Sequence, residues 1–488
     1  MKSRGTSRIY WAAAIAGCAF AASGPAWADA MDNLLDKLLA KGALTKQDYD
    51  QLKTEKAQEQ KAAPPVVTPS NAPSSSAFPP AGDQGLVRMM DPEKGIGLHV
   101  GPVDVTVSGE INGFYVHDSP DTAGPTHVID GGLAAVGSNT TSAVRNGLLP
   151  GNFAVDLKTK QEGLDIVAHF GLYPGLNNVS GVGGANSSGT SHALGTSGID
   201  FRQQYLTIGS PDLGTFKVGR DIGLFGQEAI LNDFTLFGVG STGSNTAPSN
   251  TSLGRIGLGY VYTDWIPQIT YTTPTFAGFA VTAGIFQPFD AFNFSGDSGT
   301  LGGHDSPQIQ AKIAYTVPFP PSSGFKGQLW TNVVTQELKS GGGTDALATG
   351  KSVQGTGWDF GGKLDYGPAE LVAYGYIGDG LGTTGLFFDA VSPEGKTRSS
   401  DGYLFQGSYT FFNKLTLSGS YGLSHLDLAS GEFAPTLVKD NESYAFGAKY
   451  HLTSWVNLIA EYTHTTSTAH NGNSASDDAY TAGAIAFF

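Results

Sequence analysis

Apolar and polar residues alternate with a period of two from residue 95 to the end of the chain. Val103, Val105 and Val107 alternate with Asp104, Thr106 and Ser108. Leu164, Ile166, Ala168 and Phe170 alternate with Asp165, Val167 and His169, and Leu415 and Leu417 with Lys414, Thr416 and Ser418. Successive side chains of a strand point to opposite faces, so each segment predicts a strand with one apolar and one mostly polar face. Strands that divide lipid from water carry this pattern.

The connections between these segments alternate in length. Short turns are expected near 161–163, 210–214, 273–278, 318–324, 367–369, 412–413 and 452–454. Between them lie long segments rich in Gly, Ser, Thr, Asn and Asp near 118–147, 174–200, 222–254, 287–306, 338–354, 379–400, 426–441 and 466–478. Fifteen connections in strict alternation predict an all-β, antiparallel transmembrane barrel of about 16 strands. An even strand count puts both chain ends on the short-turn side, which is periplasmic in bacterial barrels. Pro267 falls in the sixth strand, where it predicts a bulge or irregular pairing.

The N-terminal part reads differently. Lys2, Arg4 and Arg8 precede an apolar run over 9–22, and Ala26-Trp27-Ala28 offers a small-x-small cleavage site. Residues 1–28 therefore predict a secretory signal, because the run is shorter than the about 20 apolar residues of a helical span. Ile15-Ala16-Gly17-Cys18 allows a second reading, cleavage and lipidation at Cys18. Leu34, Leu35, Leu38 and Leu39 repeat at helical spacing, Gly42 stops that helix, and Thr45 with Asp48 opens a second. Residues 29–61 thus predict a periplasmic helical segment, either a hairpin or a short coiled coil. The Ala-, Pro- and Ser-rich stretch within 62–94 predicts an extended linker to a barrel over 95–488.

Composition supports the barrel. Charged residues are 15% of the chain against roughly 25% in soluble domains, while 68 glycines and 11% aromatics suit many turns and an apolar outer face. The net charge is −15 and becomes −18 once the three cations of the signal are removed, which argues against nucleic acid as a partner. Cys18 is the one cysteine, so no disulfide framework or cysteine metal site is expected. The ten histidines lack H-x-x-x-H spacing and no G-x-S-x-G occurs, so neither a cofactor nor enzyme chemistry is expected.

Specific segments resemble the general trimeric porins of Gram-negative bacteria, of the kind with an N-terminal helical extension as in phosphate-type and dicarboxylate-type members. Residues 202–209 (RQQYLTIG) and 213–220 (LGTFKVGR) are similar to that family's fourth strand, turn and fifth strand. Residues 271–279 (YTTPTFAGF) are similar to its turn between strands six and seven, with Thr273 in place of Ser. The terminal Phe488 resembles its barrel-insertion signal.

The resemblance implies an integral outer-membrane homotrimer in contact with lipid and lipopolysaccharide. It implies a water-filled channel for small hydrophilic solutes, narrowed where loop 221–254 folds inward. Acids on that loop, Asp221, Glu228 and Asp233, would face wall cations, with Lys158, Arg202, Arg220 and Arg255 as candidates. Lys158 shares a face with Asp156, opposite Val155 and Leu157, and should point inward. An anion-specific channel for phosphate or a dicarboxylate remains open as an alternative. So do an outer-membrane barrel hydrolase and a surface-anchored β-rich binding protein.

Overall fold

The computed structural model describes residue 46 and residues 87–89, 96–121, 128–134, 140–176, 182–184, 187–190, 199–242, 251–293, 300–341 and 350–488. Residues 83–488 form one unit and 1–82 another. In the latter only Lys46 is described, and it is helical. The expected signal, Cys18, the rest of the helical segment and the linker through residue 86 lie outside the described residues. Val87–Met89, within the expected linker, is a strand paired with Ile96–Val100. That second strand in turn pairs with residues 103–107.

Sixteen strands close the barrel. They are β1 (Val103–Pro120), β2 in two pieces (Thr141–Arg145 and Asn152–Gln161), β3 (Leu164–Pro174) and β4 (Ile199–Ser210). There follow β5 (Gly214–Ile222), β6 (Trp265–Thr272), β7 (Phe279–Phe286), β8 (Gln308–Val317) and β9 (Phe325–Lys339). Next come β10 (Ser352–Tyr366), β11 (Ala369–Asp379), β12 (Ser399–Phe411) and β13 (Leu415–Leu426). The last are β14 (Val438–His451), β15 (Val456–Ala469) and β16 (Ser474–Phe487). Each pairs antiparallel with its sequence neighbour, and β16 closes on β1 from Asp477↔Pro120 to Phe487↔Glu110. The strand count agrees with the alternation, and the seven short turns stand where it put them.

The apolar set of each strand faces out. Leu157, Ile208, Phe216, Ile313, Phe360, Phe405 and Phe446 are exposed, whereas the opposite parity holds Asn112, Gln310, Asn332, Gln406, Thr463 and Ser467, all buried. A closed ladder is the sheet arrangement that satisfies every backbone group in lipid.

Two connections and two strands depart from the expectation. The loop after β5 runs from 223 to 264 rather than ending near 254, because residues 255–264 turn through Gly257 and Gly259 at positive φ. The last connection is only 470–473, not 466–478. Thr463, Thr465 and Ser467 are buried on the inner face, so both strands continue through a polar stretch that the sequence made look like loop. In β2, residues 146–151 leave the wall and bend inward. Gly147 permits this, since a Cβ there would lie 2.0 Å from the Gly238 carbonyl oxygen. In β6, Pro267 pairs with Arg220 on the β5 side without a register shift. On the other side, where the β7 ladder begins at Gln268, its carbonyl still accepts from Gln287 N (3.0 Å), so the expected bulge is not present.

Candidate functional site: a lumen divided by loop 3

Loop 3 (223–264), as far as its described residues 223–242 and 251–264 show, enters the barrel and travels along its inner wall. Its outward arm is held in sequence by inward side chains of five strands. Gln310 Oε1 of β8 accepts the amides of Leu224 (2.6 Å) and Phe225 (2.8 Å). Asp359 Oδ2 of β10 accepts that of Gly226 (2.6 Å). Gln406 of β12 accepts from Phe234 N (2.8 Å) and donates to Asn232 O (2.7 Å). Glu461 Oε2 of β15 accepts from Val239 (2.8 Å) and Gly240 (2.9 Å). Asp118 Oδ1 of β1 accepts from Thr242 Oγ1 (2.6 Å). Each peg satisfies loop backbone or hydroxyl groups that water would otherwise have to reach.

A short helix, α1 (Gln227–Asn232), lies within this arm. Phe225, Ala229 and Ile230 bury against Trp330, Val334 and Leu338 of β9, Val372, Tyr374 and Tyr376 of β11 and Leu404 of β12. This side of the lumen is therefore a packed core. The return arm passes Ser443 of β14, whose side-chain and backbone oxygens accept from Arg255, and then Ser424 of β13, which accepts from Gly259 N. It finally meets loop 6 (380–398), which also folds inward. Tyr262 N donates to Thr384 O (2.8 Å), and Leu386 N donates back to Tyr262 O (3.2 Å).

Two cavities flank the loop. The upper, about 670 Å³, lies against β2–β6 and loop 6 and is lined by Leu148, Arg202, Gln203, Trp265 and Phe388 among others. The lower, about 1040 Å³, opens toward the turn end and includes Lys363, Glu370, Lys449 and Glu461. Leu231, Leu236 and Phe237 line both, so the loop edge between the chambers is apolar.

The residues expected at the constriction separate into three groups. Lys158, Arg202 and Asp221 face the lumen on β2, β4 and β5. There Lys158 meets Asp156 (3.0 Å), Arg202 meets Asp200 (3.1 Å), and Asp221 accepts from Lys217 and from Gln203 Nε2 (3.0 Å). Glu228, Asp233 and Arg255 secure the loop instead. Glu228 pairs with Lys312 of β8 (2.9 Å). Asp233 is buried and accepts from Thr235 N (2.9 Å), Thr235 Oγ1 (2.8 Å) and Tyr260 Oη (2.9 Å), tying the two arms together. Burial pushes its carboxyl above the ordinary range, against the Thr235 hydrogen bonds and the Arg255 charge; the same burial pulls Arg255 down to about 10. Arg220 stands on the other face of β5 from Lys217 and Asp221, its guanidinium on the Trp265 carbonyl.

Arg202 owes its place to a register shift between β3 and β4, where Gly171 opposes Gln203 and Tyr173 opposes Asp200. The extra residue brings both Arg202 and Gln203 to the lumen side, where both line the upper cavity. The pegs Gln310, Asp359, Gln406 and Glu461 escaped sequence reasoning. Their signal was indirect: β9 and β11 are apolar on both faces (Leu329 with Trp330, Val333 with Val334, Leu371 with Val372), as strands covered on both sides are.

A family model described as Gram-negative porin matches residues 75–470, well over half of the chain. No curated protein matches it. Among solved structures, it is similar to the outer membrane channel DcaP of Acinetobacter baumannii at 15% identity and a TM-score of 0.57, covering 79% of this chain and 97% of that one. It is also similar to Salmonella typhi OmpF, solved in complex with daunomycin, at 12% identity and a TM-score of 0.50, covering 80% and 100%. At such identities these two likenesses speak for the fold. The match over 75–470 decides the rest: the chain belongs to the Gram-negative porin family, as an integral outer-membrane barrel whose lumen is a passive-diffusion channel.

Proposed function

We propose that this channel is weakly ion-selective and that solutes move between the apolar edge of loop 3 and the β2–β5 wall. The observation that carries this reading is the pairing of that wall's charges. Lys158 has Asp156, Lys160 has Asp165, Lys217 has Asp221 and Arg202 has Asp200. Charge rings select ions through their net field, and a wall of matched pairs leaves little. In this reading Lys158, Arg202 and Asp221 line the path, Glu228, Asp233 and Arg255 fix the loop's position, and Arg220 acts outside the path.

The same reading takes the assembly as a homotrimer among lipid and lipopolysaccharide. It places the helices of 29–61 in the periplasm after cleavage behind Ala28, and Phe488 as the barrel-insertion signal. Phe488 exchanges backbone hydrogen bonds with Gly109 of β1 (3.0 and 3.1 Å), which seats the last residue in the wall.

Single-channel recording of the detergent-purified mature protein in a planar bilayer tests it. Stepwise openings in groups of three, with a reversal potential near zero under a salt gradient, are the expected result. A large reversal potential of either sign would overturn the weak selectivity and favour a dedicated ion path.

A further inference from the structure

The upper chamber is unlike the wall of a general hydrophilic path. Leu133, Leu148, Leu149, Leu253, Ile256 and Phe388 surround it, with Tyr173 and Trp265 5.7 Å apart at one side. Into this apolar space the bulged segment of β4 carries Arg202. Its Nε is held by Asp200 Oδ2 at 3.1 Å, and its guanidinium carbon lies 5.2 Å from the Tyr173 ring centroid. Among the described residues no protein group bonds Nη1 or Nη2. The side chain is therefore fixed in orientation while its forked end stays unoccupied, the geometry that takes a carboxylate with two parallel bonds.

Asp264 lines the same chamber. Its Oδ1 accepts the Trp265 amide (2.6 Å), Tyr262 lies beside it, and Arg202 acts on it electrostatically. A carboxylate has about four acceptor positions, so capacity for a further donor remains. With Asp200 beside Arg202, and Arg220 also acting on Asp264, the local charges balance. A solute with one net charge would leave that charge buried and unmatched, which is costly in apolar surroundings. A solute carrying both signs would not.

We infer that the upper chamber binds a small zwitterion with an apolar side chain, of the class of apolar amino acids. The carboxylate meets the Arg202 fork, the ammonium group meets Asp264, and the side chain packs on Leu148, Leu253 and Phe388. The inference rests on the lumen being the solute path and adds a binding station to it.

The test is interruption of single-channel current by L-phenylalanine in the full mature protein. Glycine, 3-phenylpropionate and phenethylamine serve as controls lacking the apolar body, the ammonium and the carboxylate. L-phenylalanine should interrupt the current at concentrations where the three controls do not. Arg202→Gln should raise the blocking concentration about tenfold or more, measured against that variant's own open current. Leu253→Asn should weaken block in the same sense and serves where Arg202→Gln does not assemble. Equal block by 3-phenylpropionate or phenethylamine overturns the zwitterion. Uninterrupted current with all four solutes overturns the binding station but leaves the channel. Absence of any current from folded protein overturns the channel reading itself.

Discussion

The two sides of the lumen use one barrel pattern for opposite ends. On β8–β15 inward residues hold loop 3 against the wall: Trp330, Val334, Val372 and Leu404 pack on it while Gln310, Asp359, Gln406 and Glu461 bond its backbone. On β2–β5 the inward residues are ionic and remain uncovered by it, with Lys158, His169 and Lys217 each set against a carboxylate. The covered side behaves like the core of a soluble domain, where shape decides the energy. The open side behaves like a surface, where ion pairs contribute little and salt screens them. Substitutions on the two sides should therefore be read by different measurements, stability and gating noise on one, selectivity on the other.

Phe225→Ala should produce the largest effect. Its ring is fully buried and meets Gly357 of β10 so closely that a Cβ there would lie 3.0 Å from it. Truncation should cost loop docking about 3–5 kcal/mol. Larger, noisier openings and a lower temperature of heat modification are expected. Unchanged conductance and stability would break the picture of a covered wall.

Arg398→Ala comes next, acting through loop 6. The Arg398 guanidinium meets both oxygens of Glu432 (Nε to Oε2 3.0 Å, Nη2 to Oε1 2.5 Å), and both side chains are buried. Removing one partner should cost about 3 kcal/mol and loosen the support of the loop 3 return arm. Burial alone would raise the Glu432 carboxyl, but Arg398 and the Ala429 amide outweigh it and hold it below its usual range. A depressed acid stabilises above its unfolded value and loses that contribution as pH falls through the folded one. Wild-type loop noise should thus stay low at neutral pH and rise only below the ordinary glutamate range near 4.5, while Arg398→Ala should be noisy throughout. Gln406→Ala should be milder, about 1–2 kcal/mol for two backbone bonds lost, seen as a modest rise in open-channel noise.

The barrel itself was readable from the sequence because lipid enforces a strict outward parity. Leu157, Ile208 and Ile313 could not be misplaced by one residue without exposing the polar set. The lumen imposes no such rule. Water accepts almost any polar residue, and a loop folded inside accepts apolar ones, so Asp233 gave no sign that it would turn toward Tyr260 and away from the channel. Arg202 was legible as a candidate, but its orientation depends on a bulge that no turn residue announces. The Ser/Thr run of β15 misled in the other direction, since polar inward residues above the apolar band look like loop in composition and behave as strand in register.

Lys217→Gln should have the smallest effect on stability and the sharpest diagnostic value. Lys217 is partly exposed, bonds Asp221 and lies 4.9 Å from the centre of the Tyr205 ring. Asp221 is buried but keeps its bond from Gln203 when the partly exposed lysine is neutralised, so the loss should stay at about 1 kcal/mol, and folding and conductance at high salt should not change. Electrostatics at the wall should change, because neutralising the cation leaves one carboxylate unmatched. At about 0.1 M salt, where the screening length is about 10 Å, the reversal potential should move toward cation preference; at about 1 M, with a length near 3 Å, the shift should fade. A matching Lys449→Gln change places the same neutralisation in the lower chamber, on the covered side. If ions run along β2–β5 past the loop edge, the Lys217 change should shift the potential more than the Lys449 change. The reverse order would mean that current follows the covered side, and the division of the lumen proposed here would have its two halves exchanged.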